Sequence, residues 1–506
     1  MPNQEKYPFY IRTNEKIQSR GECGRDFILP DSYPDIRKIL HVSACPVPGR
    51  CEINAGKLTG EGELVCKVVF SDDTGRINCA SFRTDYRVTA PVEKSDDKSC
   101  VYLPVVENVS AKAINPRKVG IRASVDMRAG VWQAIDPLPE MPPEFTSEDI
   151  AGVERKENDT PYMCTMLFSD TGREISEDIE LDRSAPEIGE IVFADASIDI
   201  NDVVYDGGSL DLRGVATVNL LYNDTAGRSA LKQTELPFAQ TVEADSPEQD
   251  AAFMAKAYIE KISALPADDP FGQSRVIELD ITYSVYVLSI FECERPVVAD
   301  AFSTSYNTEN VMSDIRYSSA LPMFRYEDAG TIEGDCGIGC TPVCVFADAA
   351  VVKNEEDGYD LAITADAITS DENGTLALNR LEKKVGLSVP DCSELICDAN
   401  VRSVSCRCEN GKLKVNYSVC VRALCWENVD GSYLSSMKLA GEGESTEPAP
   451  LTVYYPAPGE SLWDAAKRYH VSEGAIMAAN MMNSPDERPG VLLIPRRRKA
   501  DYSKII

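Results

Sequence analysis

The chain has 506 residues, 43% hydrophobic and 26% charged, which is the composition of folded protein rather than of disordered chain. Its length exceeds what one hydrophobic core holds, so three or four domains are expected. Acidic residues outnumber basic ones 82 to 51, and the formal charge of −31 disfavours nucleic acid and anionic membrane as partners of the body.

The N-terminal segment, residues 1–19, has no apolar run of signal-peptide length, and no later stretch offers the ~18 unbroken apolar residues of a membrane helix. A cytosolic protein without membrane insertion is therefore expected, with its 17 cysteines as free thiols, and the odd count argues against a complete disulfide framework. Only two histidines occur, His41 and His470. A Ser-His-Asp or Cys-His centre needs a histidine beside its nucleophile, and both of these read as structural. No catalytic residue is assigned, and a non-enzymatic protein without a cofactor is expected.

Self-comparison divides the chain. A first repeat, 20–135, runs from Pro34-Asp35-Ile36 to Gly75-Arg76 in register with Pro186-Glu187-Ile188 to Gly227-Arg228 of a second repeat, 164–295. Along a fixed offset Ala44 meets Ala196, Gly56 meets Gly208, Leu58 meets Leu210 and Gly62 meets Gly214. Between them lies a linker, 136–163, opened by the proline-rich acidic stretch Asp136 to Glu144. After a linker or repeat start at 296–330 comes a divergent third repeat, 331–430. There Val192 to Ala196 recurs as Val345 to Ala349, and the turn Asn223 to Gly227 returns as Asp371 to Gly374. A polar linker, 431–450, follows.

Each repeat contains a stretch of period-two alternation: Val119, Ile121, Ala123, Val125, Met127; Ile277, Leu279, Ile281, Tyr283, Val285, Val287; and Leu413, Val415, Tyr417, Val419, Val421. Such alternation in β-branched and aromatic residues predicts strands with one buried face. Glycine- and aspartate-rich turns such as Ser71 to Gly75 and Glu409-Asn410-Gly411 connect them. The expected fold is mainly β, with three tandem antiparallel sandwiches or barrels. Asp72-Asp73, Asp268-Asp269 and Asp371-Glu372 read as solvated turn residues, since no Asp-x-Asp-x-Asp-Gly calcium loop is present. The cysteines of the third repeat include no C-x-x-C pair, so no metal site is assigned.

From Leu451 the pattern changes. A short strand, Leu451 to Tyr455, leads to Ser461, a predicted helix N-cap with Asp464 completing a capping box. Leu462, Ala465, Ala466 and Tyr469 form a stripe of helical period, Ser472 caps a second helix, and Val471 can staple onto Ile476. Pro489-Gly490 and a closing strand, Val491 to Ile494, complete a βααβ module at 451–496. A tail, 497–506, begins within the basic cluster Arg496 to Lys499.

The motifs Pro458-Gly459-Glu460-Ser461-Leu462-Trp463, Ala466 to Tyr469, Asn480 and Pro489-Gly490 closely resemble the LysM domain. The resemblance implies a shallow groove for peptidoglycan or another N-acetylglucosamine glycan, between the loop after the first strand and the loop after the second helix. Carried onto this sequence, it implies a lining of Gly459, Glu460, Ser461, Leu462, Ile476, Asn480 and Pro489, holding either glycan or a protein partner. Pro34-Asp35-Ile36, Ala44, Gly56-Lys57-Leu58 and the acidic turn before Gly75 resemble the SPOCS domain of spore-coat proteins. That resemblance implies a non-enzymatic coat-morphogenetic scaffold on the forespore surface, in the mother-cell cytosol, whose partners are coat proteins including the basement-layer ATPase. The alternative function is a cell-wall protein that binds peptidoglycan through the LysM module.

Overall fold

The computed structural model describes residues 11–12, 18–92, 98–133, 152–244, 251–355, 358–442, 451–487 and 489–495. The acidic proline-rich stretch at 136–144, the polar stretch at 443–450 and the cluster Arg496 to Lys499 lie outside the described residues. The strands are β1 (Ile11–Arg12), β2 (Gln18–Ile28), β3 (Lys38–Asn54), β4 (Lys57–Ser71), β5 (Ile77–Pro91), β6 (Lys98–Asn115) and β7 (Lys118–Gln133). Next come β8 (Val153–Glu180), β9 (Ile188–Asp206), β10 (Ser209–Asp224), β11 (Ser229–Glu243), β12 (Ala252–Asp268) and β13 (Ser274–Ser303). They continue as β14 (Tyr306–Ala320), β15 (Phe324–Asp335), β16 (Thr341–Lys353), β17 (Tyr359–Ser370), β18 (Leu376–Leu387), β19 (Glu394–Glu409) and β20 (Lys412–Glu442). Last are β21 (Leu451–Tyr454), helices α1 (Leu462–Tyr469) and α2 (Glu473–Asn480), and β22 (Leu492–Pro495). The protein is mainly β.

Two compact units form. The first contains Met1–Ala134, Met163–Glu292 and Ser318–Glu427; the second contains Ile135–Tyr162, Cys293–Tyr317 and Asn428–Ile506. In the first unit one strand plan occurs three times. A three-stranded antiparallel meander, β3-β4-β5, β9-β10-β11 or β16-β17-β18, accompanies a second sheet in which a hairpin (β6-β7, β12-β13, β19-β20) pairs with an earlier strand (β2, β8, β15).

The alternating residues of β7, β13 and β20 are all buried, as their periodicity predicts. In the first repeat Val119 to Met127 share a core with Leu58, Val68 and Phe70 of β4. Ile277, Leu279 and Ile281 pack with Val218, Leu220 and Tyr222 of β10 in the second. In the third, Tyr417, Val419 and Val421 pack with Leu361 and Ile363 of β17. Burial of each such side chain contributes roughly 1.5–3 kcal/mol.

Residues shared between repeats mark positions where the backbone allows little else. Gly75, Gly227 and Gly374 all adopt positive φ, at 82°, 79° and 77°. Their turns are anchored by Asp72, Asp224 and Asp371, whose Oδ1 accepts two backbone N–H groups each. A Cβ on Gly62 would stand 2.2 Å from the Val47 carbonyl oxygen, and one on Gly214 would stand 2.1 Å from that of Asp199. The pairing of β6, β12 and β19 slips at one corresponding residue in each repeat, Glu107, Glu260 and Arg402.

The three repeats close on one another. Leu40, Val69 and Ile77 of the first meet Val192, Phe193 and Leu221 of the second and Cys344 and Ile368 of the third in one apolar cluster. A second cluster joins Leu103, then Met254 and Leu288, then Ile396 and Trp426. Polar ties run round the same ring: Lys67 to Asp195 at 2.6 Å, Arg422 to Asp199 at 2.6 Å, and His41 Nδ1 to Asp366 at 2.9 Å.

In the second unit Val298, Ala301, Leu434 and Met437 form a small core with Val153 and Tyr306. The stretch 296–330, expected as a linker or the start of the third repeat, contains the end of β13, β14 and the start of β15, and the described part of 431–450 belongs to β20. No helix among the described residues is long and apolar enough to cross a membrane.

Candidate functional site

The C-terminal module lies in the second unit. β21 and β22 pair antiparallel, with Leu451 opposite Pro495 and Tyr454 opposite Leu492. Antiparallel pairing places the exit of the first strand and the entry of the second at one end. The predicted caps form: Ser461 Oγ accepts from Asp464 N, and Asp464 accepts in return from the Ser461 backbone. Ser472 likewise accepts from Ala475 N. Val471 and Ile476 share a core with Leu462, Trp463, Ala465, Ala466, Leu492 and Ile494.

The loop after β21 is fixed from within. Ala457 O accepts from Glu460 N at 3.0 Å across Pro458 and Gly459, whose φ is 87°, as a type II turn requires of its third residue. The Glu460 carboxylate accepts from Ala457 N at 2.8 Å and Tyr454 Oη at 2.6 Å, and pairs with Arg468 at 2.8 Å. The Tyr454 hydrogen bond, then that from Ala457, hold Glu460 below the usual carboxylate range. At the other side Asn480 donates to Ile476 O and Leu493 O and accepts from Leu493 N, each at 2.7 Å, tying α2 to β22.

Gly459, Glu460 and Ser461 lie in the loop that leaves β21, and Pro489 lies in the stretch that enters β22. Leu462 and Ile476 belong to the core, 4% and 0% exposed. The Asn480 amide is spent on the α2–β22 tie. Surface available at this end comes from backbone and from residues the sequence did not single out. Tyr455 is 71% exposed, Val491 42%, and Met481, in the left-handed conformation that ends α2, 91%. Their signal in the sequence was position alone: an aromatic and two apolar residues in polar loops flanking the strands.

Helix α1 has a second engagement. Trp463 Nε1 donates to Asp300 Oδ2 at 2.8 Å, Lys467 Nζ lies 2.7 Å from both oxygens of Asp300, and Phe302 meets the Trp463 ring edge-on at 5.0 Å. His470, the α1 C-cap, has its Nδ1 2.8 Å from Ser303 O.

The first unit holds a cleft of about 530 Å³ where the repeats converge, lined among others by His41, Lys67, Asp195, Glu260, Asp348 and Arg402. His41 is buried there, stacked on Phe346 at 4.0 Å and bonded to Asp366, which Arg380 also grips through both oxygens. Burial alone would raise the Asp366 pKa, but the bonds from Arg380 and His41 hold it below the ordinary range. Among the described residues no group of three or more His, Cys, Asp and Glu is placed to hold a metal ion.

Residues 457–491 match the family model of the LysM domain. No curated protein matches the chain.

Proposed function

We propose that the chain binds an N-acetylglucosamine glycan such as peptidoglycan through the open end of its LysM domain, and that its β repeats work by contact rather than catalysis. The observation that carries the reading is the exposed Tyr455, which follows β21 and leads into the Pro458-Gly459 turn, with the exposed Val491 just before the paired strand β22. An exposed ring offers an apolar face to a pyranose, and backbone groups of the turn other than those bonded within the loop at Ala457, Glu460 and Ser461 can meet acetamido and hydroxyl groups. Gly459, Glu460, Ser461 and Pro489 border this surface. Leu462, Ile476 and Asn480 support it from beneath. Co-sedimentation of the full chain with insoluble peptidoglycan, competed by soluble N-acetylglucosamine oligomers, tests the reading; a chain that stays in the supernatant sinks it.

A second reading concerns the repeats. One strand plan used three times and closed into a ring favours a scaffold, because each repeat presents its own outer surface. In this reading the repeats are SPOCS-type domains, the setting is the spore coat at the forespore surface, and the partner is the basement-layer ATPase. Purified chain and ATPase that fail to co-elute at micromolar concentration would remove it while leaving glycan binding intact.

A further inference from the structure

In the first repeat the thiols of Cys51 and Cys100 lie 3.2 Å apart, from positions 49 residues apart in sequence. Cys51 sits on β3 opposite Gly60 of the meander, whereas Cys100 sits on β6 opposite Val131, in the other sheet. Both pack against the same core, and both are only half-buried, so a small oxidant reaches them. The two sulfurs therefore face each other across the sandwich, and a shift of about 1 Å brings them to bonding distance.

We propose that Cys51 and Cys100 form an oxidation site that closes to a disulfide and staples β3 to β6 when the protein meets peroxide. One thiol, as its thiolate, attacks hydrogen peroxide; the O–O bond breaks, leaving a sulfenic acid and water. The second sulfur then displaces the sulfenic hydroxyl as a further water, so that two thiols and one peroxide yield one disulfide and two waters. The hydrogen bond with Cys100, and then burial, raise the Cys51 pKa, which slows thiolate attack, so closure takes sustained exposure to peroxide. Closure joins the two sheets and shortens the unfolded chain's free loop, which stabilises the repeat.

Other thiols lie near one another in the third repeat, Cys392 with Cys425 and Cys336 with Cys408, and they make the test specific. The full chain is treated with hydrogen peroxide, its remaining thiols are blocked, and it is digested without reduction for peptide mapping. The expected result is a linked pair of peptides carrying Cys51 and Cys100, with a Tm raised by a few degrees over the reduced protein. The rise is smaller in Cys51→Ser and in Cys100→Ala than in the wild type, any remainder coming from the third-repeat pairs. Unlinked Cys51 and Cys100 peptides, or a rise undiminished in both variants, overturns the proposal; the wild-type peptide map decides the matter should either variant fold poorly.

Discussion

The indole N–H of Trp463 donates to Asp300, and the Lys467 ammonium reaches both oxygens of the same carboxylate, so one residue at the end of β13 holds helix α1. Burial would raise the Asp300 pKa, but the bonds from Lys467 and Trp463 outweigh it and the net shift is downward. The folded value lies below the unfolded one of about 3.9. The stabilisation from Asp300 is thus fully present above that pH and is lost as the pH falls through the folded value. Hydrogen exchange of residues 462–469, taken relative to the intrinsic rate at the same pH, is expected to quicken below about pH 4. In Asp300→Ala it is expected to be fast already at pH 7, with about 1–3 kcal/mol of local stability lost.

Asn480→Ala removes two hydrogen bonds between α2 and β22, and one within α2, at once. A loss of about 1–3 kcal/mol in module stability is expected, since the Leu493 groups are left without their partner. Tyr455→Ala, by contrast, is expected to leave Tm unchanged because its ring is in solvent. Thermal melts of the two variants side by side separate support from surface.

His41→Phe tests whether that histidine is structural. By the corresponding slips in β3 and β9, position 41 answers to Phe193, so a phenylalanine has a precedent there. The stack on Phe346 can be retained, but Asp366 loses one of its donors. A fall of about 1–3 kcal/mol in the first unit, with glycan binding intact, is the expected outcome.

Ile281→Ala hollows the second repeat's core, where the side chain is fully buried. The expected cost is about 2–5 kcal/mol. Urea denaturation reads it as a lower midpoint.

The sequence made the strand faces legible because period-two alternation is a direct consequence of strand geometry, and every alternating residue of β7, β13 and β20 is buried. Helix caps at Ser461 and Ser472 were legible for the same local reason. The third repeat's register was not. Val192 to Ala196 resembles Val345 to Ala349, yet the strand slips at Val192 and at Val343 place the repeats two residues from that match. A shift of two keeps each side chain on its face, so the pattern cannot detect it. The long reach of β20 is not legible either, because beyond Glu427, among the residues whose side chains are described, only Leu434 and Met437 bury large apolar side chains. The ring of repeats and the Asp300 tie depend on residues far apart in the chain, and nothing local marks them.

The most direct test is a calorimetric titration of the full chain with a soluble N-acetylglucosamine oligomer, in the wild type and in Tyr455→Ala. Saturable binding is predicted for the wild type, with affinity at least about tenfold weaker in the variant, equivalent to about 1.4 kcal/mol. Absence of binding in the wild type, or equal affinity in both proteins, would contradict a glycan site at this edge of the module.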